Sequence, residues 1–216
     1  KGLKGLRNRT LTSHMQEIGR QYPNCGYGGH FFYWIFSEDP QPYGSYGNGS
    51  AMRISAVGFA ADSIEQAKAL SQTVTEVSHD HPEGLKGAEA VAVSIFLART
   101  GSSRHEIRDY IDKNYYPMDF TLDQIREDYS FDVTCQGSVP QAFQAFFESQ
   151  DFEDAIRNAI SIGGDSDTIA AICGGLAQAY YGIPVPIRNQ AMAYLDDHLV
   201  EIVDTFESAY PIHPNK

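Results

Sequence analysis

SIGGDSDTIAAICGGLAQAYYG, residues 161–182, joins a cluster of oxygen-bearing side chains to a helix with almost no side chains of its own. A Gly-Gly pair leads into Asp165, Ser166, Asp167 and Thr168, and directly behind them run Ala170, Ala171, Gly174, Gly175, Ala177 and Ala179. Such a run is unfavourable as an isolated helix, because each interior glycine costs ~1 kcal/mol relative to alanine. It is tenable where neighbouring helices must come very close, and that approach sets the helix start deep in a cleft rather than on a rim. The oxygen-rich lead-in has a plain explanation as an N-cap, since Asp, Ser and Thr all serve there. A cap needs one such residue, and four stand in a row. Residues two apart on a helix point to nearly opposite sides, so Asp165 and Asp167 converge only if Asp165 lies outside the helix, which the glycines before it permit. Carboxylate, carboxylate and hydroxyl are hard oxygen donors suited to Mg²⁺.

Working outward, most of the chain reads as helix, and the fold class expected is an all-α, compact multi-helix bundle, a single domain over residues 1–216. DSIEQAKALSQTVTEVSH pairs Ser63 with Gln66 in a capping box and spaces Ile64, Ala67, Leu70, Val74 and Val77 at three and four residues. GLKGAEAVAVSIFLART is apolar enough to be a core helix, and SSRHEIRDYIDKNY carries a second box, Ser103 with Glu106. SVPQAFQAFFES reads as opening at Ser138 with Pro140 in its first turn, DFEDAIRNAISI puts acids where the helix dipole favours them, and IRNQAMAYLDDHLVEIVDTFESAY reads as one closing helix. Residues 22–53 differ: they are rich in Gly, Pro, Tyr and Asn, and read as ordered loops around one aromatic helix, GHFFYWIFS, with Tyr27, Trp34 and Tyr46 as candidate wall residues.

The chain's 216 residues are enough for a sizeable core, and its net charge of −12 argues against nucleic acid or an anionic membrane as an electrostatic partner. Three scattered cysteines form neither a disulfide framework nor a metal knuckle, no apolar run is long enough to span a bilayer, and a cytoplasmic, monomeric protein is expected.

Three further stretches could carry chemistry. In YGSYGNGSAMR (residues 43–53), Gly47-Asn48-Gly49 is by default a tight turn; it is no dinucleotide fingerprint, since Met52 stands where the third glycine belongs. Glycines running into a helix start could still offer amides to phosphate or sugar oxygens, and Arg53 either adds charge or pairs with a surface acid. SHDHPEG (residues 78–84) fits a helix C-terminus, with His suiting the dipole and Pro82 stopping the helix; His79, His81 and Glu83 as a zinc site lack a further nearby ligand. In FDVTCQGSVPQAF (residues 131–143), Cys135 as a nucleophile is conceivable, but a packed thiol is the simpler reading.

Taken together, YGNGSAMR, SHDHPEG, CQGSVP and GGDSDTIAAICGGLAQAYYG, in this order and spacing, resemble the ADP-ribosylglycohydrolase family, which includes the enzyme that reactivates dinitrogenase reductase. YPNCGYGGHFFYWIFS and FEDAIRNAISIGGDSDT are similar to its bacterial members, so the resemblance runs over about residues 21–182. It implies an all-α fold and metal-dependent hydrolysis of the glycosidic bond of an ADP-ribosyl group, on a protein or a small molecule. Two Mg²⁺ ions, with Mn²⁺ as a substitute, would sit in a central cleft. It further implies that Asp165, Asp167 and Thr168 are metal ligands, with Asp165 and Asp167 catalytic. Gly47, Asn48, Gly49, Ser50, Ala51 and Met52 would line the ribose and diphosphate, with His79, Gly137 and Ser138 bordering the same cleft.

The family's first metal string, Thr-Asp-Asp, has no counterpart in this sequence; the adjacent Asp196 and Asp197 read as the solvated face of a late helix. The expectation is therefore a piece or shortened form of the family domain. Some ~60 to 70 further residues upstream would complete a domain of ordinary size, and the piece alone would hydrolyse little. The alternative function is a non-catalytic ADP-ribose-binding or crystallin-like structural protein on the same fold, and a weaker third is a thiol hydrolase using Cys135.

Overall fold

The computed structural model describes residues 8–211, and among them the backbone forms thirteen helices and no strand. In chain order they are α1 (Asn8–Gln21), α2 (Gly29–Phe36), α3 (Gly49–Met52), α4 (Ser55–Ala60), α5 (Ile64–Thr75), α6 (Pro82–Arg99), α7 (Arg104–Asn114), α8 (Leu122–Ile125), α9 (Cys135–Phe147), α10 (Phe152–Ser161), α11 (Ser166–Tyr181), α12 (Val185–Met192) and α13 (Asp197–Ala209). The all-α expectation holds.

α6 is the axis of the core. It buries Gly84, Gly87, Ala88, Ala90, Val91, Ala92, Val93, Ser94, Ile95 and Ala98, so small and β-branched residues face its neighbours on several sides. α11 packs beside it as the Ala/Gly run requires. A Cβ on Gly175 would lie 2.5 Å from Ser55 Oγ on α4 and 3.2 Å from Ile95 Cδ1 on α6, while one on Gly174 would lie 3.1 Å from Ile156 Cδ1 on α10. The thin helix is thus clasped by α4, α6 and α10. Bulk comes from elsewhere, with Phe143 and Phe146 of α9 fully buried in the same cluster.

Three element boundaries and one cap differ from the sequence reading. α9 begins at Cys135, capped by Thr134 accepting from the Gly137 amide, so Ser138 is an interior helical residue and Pro140 lies in the second turn. The carbonyl that Pro140 leaves without an N–H partner belongs to Gln136, which is solvent-exposed. The closing helix is two: Asp196 ends the link and caps α13 by accepting from Leu199 N at 2.9 Å, and it also accepts from Tyr22 OH at 2.7 Å. Asp196 is therefore a cap and a tether while remaining, with Asp197, on the solvent-exposed face that the sequence suggested. The Ser63 box is half formed, Ser63 accepting from Gln66 N while Gln66 Oε1 takes the Asp62 amide instead of its own cap's. Finally, α5 ends at Thr75, so His79 and His81 lie beyond its last turn, and His81 caps α6 by accepting from Glu83 N at 3.1 Å. The box at Ser103 and Glu106 is complete.

The aromatic segment has a structural purpose. Trp34 is buried and donates Nε1–H to Val77 O at 2.9 Å, and Phe31 stacks on Trp34 with centroids 5.5 Å apart. α2 thereby braces residues 77–79. Tyr27 packs edge-on to Phe31, and Tyr46 is half-exposed beside His81.

Candidate functional site

Gly163 and Gly164, with φ of +74° and +67°, turn the chain in a region that residues with a Cβ disfavour. At Gly164 the space is also taken, because a Cβ would sit 2.4 Å from the Tyr129 ring. The turn delivers Asp165 to the N-cap position of α11, outside the helix, where its side chain makes no capping bond. It accepts instead from Asn48 Nδ2 at 2.7 Å. Asp167 and Thr168 follow on the first turn, and both approach the Asp165 carboxyl closely enough to change its ionisation. Burial raises the Asp165 carboxyl from its ordinary value, hydrogen bonds from Asn48 and Thr168 pull it down, and Asp167 pushes it up as a hydrogen-bond partner and a like charge. Two carboxylates converge here with a buried hydroxyl, and without a cation they repel each other.

Asn48 is the junction of the site. It is 6% exposed, and its Nδ2 donates to Asp165 and, at 2.9 Å, to Ser138 Oγ, with Asp132 O at 3.4 Å. Ser138 Oγ passes its own proton to Asp132 O at 3.0 Å. One amide therefore ties the start of α11 to the start of α9. The loop that carries Asn48 is pinned by a single antiparallel bridge, Gly47 to Thr134, with Asn48 N donating to Val133 O at 2.8 Å.

The Gly47–Met52 run is a short helix entry rather than a free turn. Its amides at Gly47 and Asn48 are committed to Ser45 Oγ and Val133 O, and those of Ser50, Ala51 and Met52 to carbonyls at Gly47 and Asn48. Ser50 and Ala51 are fully buried, with Ser50 Oγ donating to Gly84 O, so they shape the loop from below. Met52 is 45% exposed, and its sulfur accepts from Thr168 Oγ1 at 3.5 Å. Gly49 and Gly47 leave room for His79: a Cβ on either would lie 3.6 Å or 3.8 Å from His79 Nε2. Gly137 lies under the Asp132 carboxylate and its carbonyl accepts from Tyr129 OH at 2.7 Å, within the first turn of α9 rather than in a turn bordering the cleft.

His79 is buried, and burial, then the charge of Arg53, pushes its imidazole down to about 3. Arg53 does not pair with a surface acid; its Nη2 donates to Ser78 Oγ at 2.7 Å and its guanidinium lies 5.3 Å from the Phe31 ring centroid. Cys135 is fully buried, burial pushes its thiol up to about 11, and its Sγ contacts Gly47 O and Ser50 Oγ at 3.3 Å each, which makes it a packed thiol and ends the nucleophile reading. The zinc reading ends as well: His79 and His81 are engaged at different places, and among the described residues no three His, Cys, Asp or Glu side chains are grouped to hold a metal.

Sequence reasoning missed Ser78, Tyr129 and the Asp132 carbonyl, all of which support the site. Tyr129 and Asp132 carry no motif, and their roles come from the return of the chain between α8 and α9. A cavity of about 700 Å³ opens at the far end of α11, among Gln178, Tyr181, Arg188 and Glu207, away from the Asp165 carboxylate.

A hard divalent cation fits what is present: two mutually repelling carboxylates and a hydroxyl, all oxygen donors, at one helix start. The regular elements around this site are all helices, and its carboxylates stand at the start of one of them, which places the molecule among all-α proteins whose polar site is assembled at helix starts and the loops that lead into them. Within that class, the model of the ADP-ribosylglycohydrolase family matches residues 5–211, and the chain belongs to that family. It is similar to an uncharacterized protein of Archaeoglobus fulgidus, 31% identical over 159 residues, covering 65% of this chain and 51% of that one. It is similar also to the human ADP-ribosylhydrolase ARH3, 25% identical over 186 residues, covering 65% and 51%. The ADP-ribosylarginine hydrolase Tri1 of Pseudomonas putida is 28% identical over 162 residues, covering 69% and 42%. The chain spans about half the length of the curated relatives it matches. A solved ADP-ribosylglycohydrolase-related protein complex superposes with a TM-score of 0.63 at 24% identity, over 81% of this chain and 66% of that one, in keeping with the all-α fold.

Proposed function

We propose that this chain carries the second metal-binding string and the glycine loop of a hydrolase that cleaves the glycosidic bond of an ADP-ribosyl group. The observation that carries the reading is the turn of Asp165 away from the capping role its position offers. Its carboxylate is shared with Asn48 and drawn beside Asp167 and Thr168 instead. Asp165, Asp167 and Thr168 would hold Mg²⁺ or Mn²⁺. When bound, the cation supplies charge that polarises ribose oxygens and water at the bond to be cleaved.

The remaining residues bind and orient. Asn48 fixes the Asp165 carboxylate, Ser138 fixes Asn48, and Gly47 and Gly49 let a ligand approach His79 without a side chain in the way. The exposed Met52 forms an apolar edge beside Thr168. The experiment is turnover of ADP-ribosylated arginine and serine substrates with and without Mg²⁺. Wild-type protein should require the cation, and Asp165→Ala and Asp167→Ala should each weaken cation binding while keeping helical content. Loss of a cap alone would cost only ~1 kcal/mol, so a variant that loses about that much stability with its cation affinity intact restores the capping reading.

A second reading has its own support. Mg²⁺ takes six oxygen ligands, and the start of α11 offers one carboxylate pair and a hydroxyl. A chain with this site alone would bind ADP-ribose without turnover, as the non-catalytic alternative requires. Calorimetric ADP-ribose binding with no hydrolysis of either substrate would favour it.

A further inference from the structure

Behind His79 lies a chain of hydrogen bonds that no metal ligand touches. Arg53 Nη2 donates to Ser78 Oγ at 2.7 Å, and Ser78 Oγ lies 2.9 Å from His79 Nδ1. Ser78 is fully buried and His79 is 5% exposed. A guanidinium can only donate, so Ser78 Oγ gives a lone pair to Arg53 and has one proton to place. Placed on His79 Nδ1, that proton satisfies both groups. The opposite arrangement, with Nδ1 protonated and donating to Ser78, strands the buried serine proton with no acceptor among the described residues, which native interiors avoid. The bare nitrogen is therefore Nδ1 and the proton sits on Nε2. Nε2 is the atom that faces the loop, 3.6 Å from where a Cβ on Gly49 would be and 3.8 Å from one on Gly47.

Arg53 is itself unusual. Its Nε is sealed from solvent without a partner, and no carboxylate of the described residues pairs with it. Its guanidinium lies over the Phe31 ring and donates to Ser78. Its charge, close behind the imidazole, joins burial in keeping His79 neutral at ordinary pH. A ring with Nδ1 already satisfied, held neutral and facing two glycines, can do one thing for a ligand: donate a hydrogen bond from Nε2.

We propose that Arg53 and Ser78 are positioning residues that fix His79 as a neutral Nε2–H donor aimed across the Gly47–Gly49 loop, where it meets an acceptor oxygen of the bound ligand. The identity of that ligand as an ADP-ribosyl group, whose ribose and diphosphate oxygens are such acceptors, rests on the function proposed above. The direction of the hydrogen bonds does not.

The test is long-range ¹H–¹⁵N correlation on the full chain with ring-labelled histidine, the His79 signals being assigned by their loss in His79→Gln. Wild type should show Nε2–H with Nδ1 bare. Ser78→Ala should shift His79 toward a tautomer mixture, and Ser78→Thr, which keeps the hydroxyl, should restore the wild-type pattern. Arg53→Met, which keeps the packing on Phe31 and removes the donor, should loosen the tautomer as well and serves where Ser78→Ala does not fold. ADP-ribose affinity by calorimetry should fall in Ser78→Ala by the inverse of the Nε2–H fraction that remains, about twofold for an even mixture, and recover in Ser78→Thr. A wild-type ring protonated on Nδ1 overturns the proposal, as does a Ser78→Ala protein whose tautomer and affinity both match wild type. Tautomers that follow the expected series in a protein with no ADP-ribose affinity leave the positioning pair standing and sink the ADP-ribosyl reading.

Discussion

Asn48 shows how one neutral side chain can hold a charged site together. An aspartate at its place would have the same shape but add a third carboxylate beside Asp165 and Asp167; an alanine would leave Asp165 half-buried with its donor gone. We expect Asn48→Ala to lose ~1–3 kcal/mol in urea unfolding, the penalty of an unpaired buried polar group. Asn48→Asp should be less stable than Asn48→Ala in chelator, and should gain more in melting temperature from added Mg²⁺ or Mn²⁺ than wild type does, since a cation that binds only the native state stabilises it by mass action. Equal gains in the two proteins would show that no cation sits beside position 48. His79 makes a second prediction at this scale. Its folded value is depressed to about 3 from about 6.5 in an unfolded chain, so between those values the unfolded state binds the extra proton. Stability should therefore be intact above pH about 6.5 and fall as the solution is acidified toward 3, by at most ~1.4 kcal/mol per pH unit from this group. His79→Gln should flatten that slope; an unchanged slope would mean the ring is already open to protonation in the fold.

Among the elements, α11 is the one whose character was most legible in the sequence. Its alanines and glycines announced close neighbours, and Gly175 and Gly174 meet Ser55, Ile95 and Ile156 as that reading requires. The two glycines differ in a way that can be measured. Alanine gains ~1 kcal/mol of helix propensity over glycine at either position. At Gly175 the new methyl meets Ser55 Oγ at 2.5 Å and Cβ at 3.2 Å, and Ile95 of the core at 3.2 Å, whereas at Gly174 it meets only the movable tip of Ile156. Gly175→Ala should destabilise by ~1–3 kcal/mol through overpacking, and Gly174→Ala should be near neutral or slightly stabilising; denaturation midpoints in the reverse order would mean that α11 is not clasped on the α4 and α6 side. Other element boundaries were less legible for definite reasons. Pro140 looked like a first-turn proline because prolines are tolerated there, but Thr134 supplied a better cap four residues before Ser138. The closing helix looked continuous because Leu195 and Leu199 share a face, and the break is made by Asp196, whose carboxylate both caps α13 and accepts from Tyr22. In the site itself, Asp165, Asp167 and Thr168 could be found because they exceed what a cap needs. Ser78, Tyr129 and the Asp132 carbonyl could not, because each acts through a contact made only when distant segments meet.

Across the whole molecule, packing is unevenly distributed, and the candidate site lies on the well-packed part. α6, α9 and α11 each bury seven residues or more, whereas α12 and α13 bury none. What holds the last two helices is a partly buried seam at Ile187 and Phe206, the Arg188 bridge to Glu207, and the bond from Tyr22 to Asp196. Asp196 is exposed and the Arg188 and Glu207 side chains are 36% and 32% exposed, and polar pairs open to water contribute little, commonly under ~1 kcal/mol. Local opening free energy follows buried apolar contact, so amides of α12 and α13 should exchange with deuterium well before those of α6 and of α11 below Thr168. The start of α11 should sit on the protected side of that divide, because Asp165 is tied through Asn48 and Ser138 to the buried α9. Tyr22→Phe should speed exchange in α13 while leaving the α11 start untouched. If α12 and α13 instead proved as protected as α6, burial would be the wrong guide to which parts of this chain open together. If Tyr22→Phe loosened Asp165, the carboxylate site would depend on the closing helices rather than on the α9 and α11 junction.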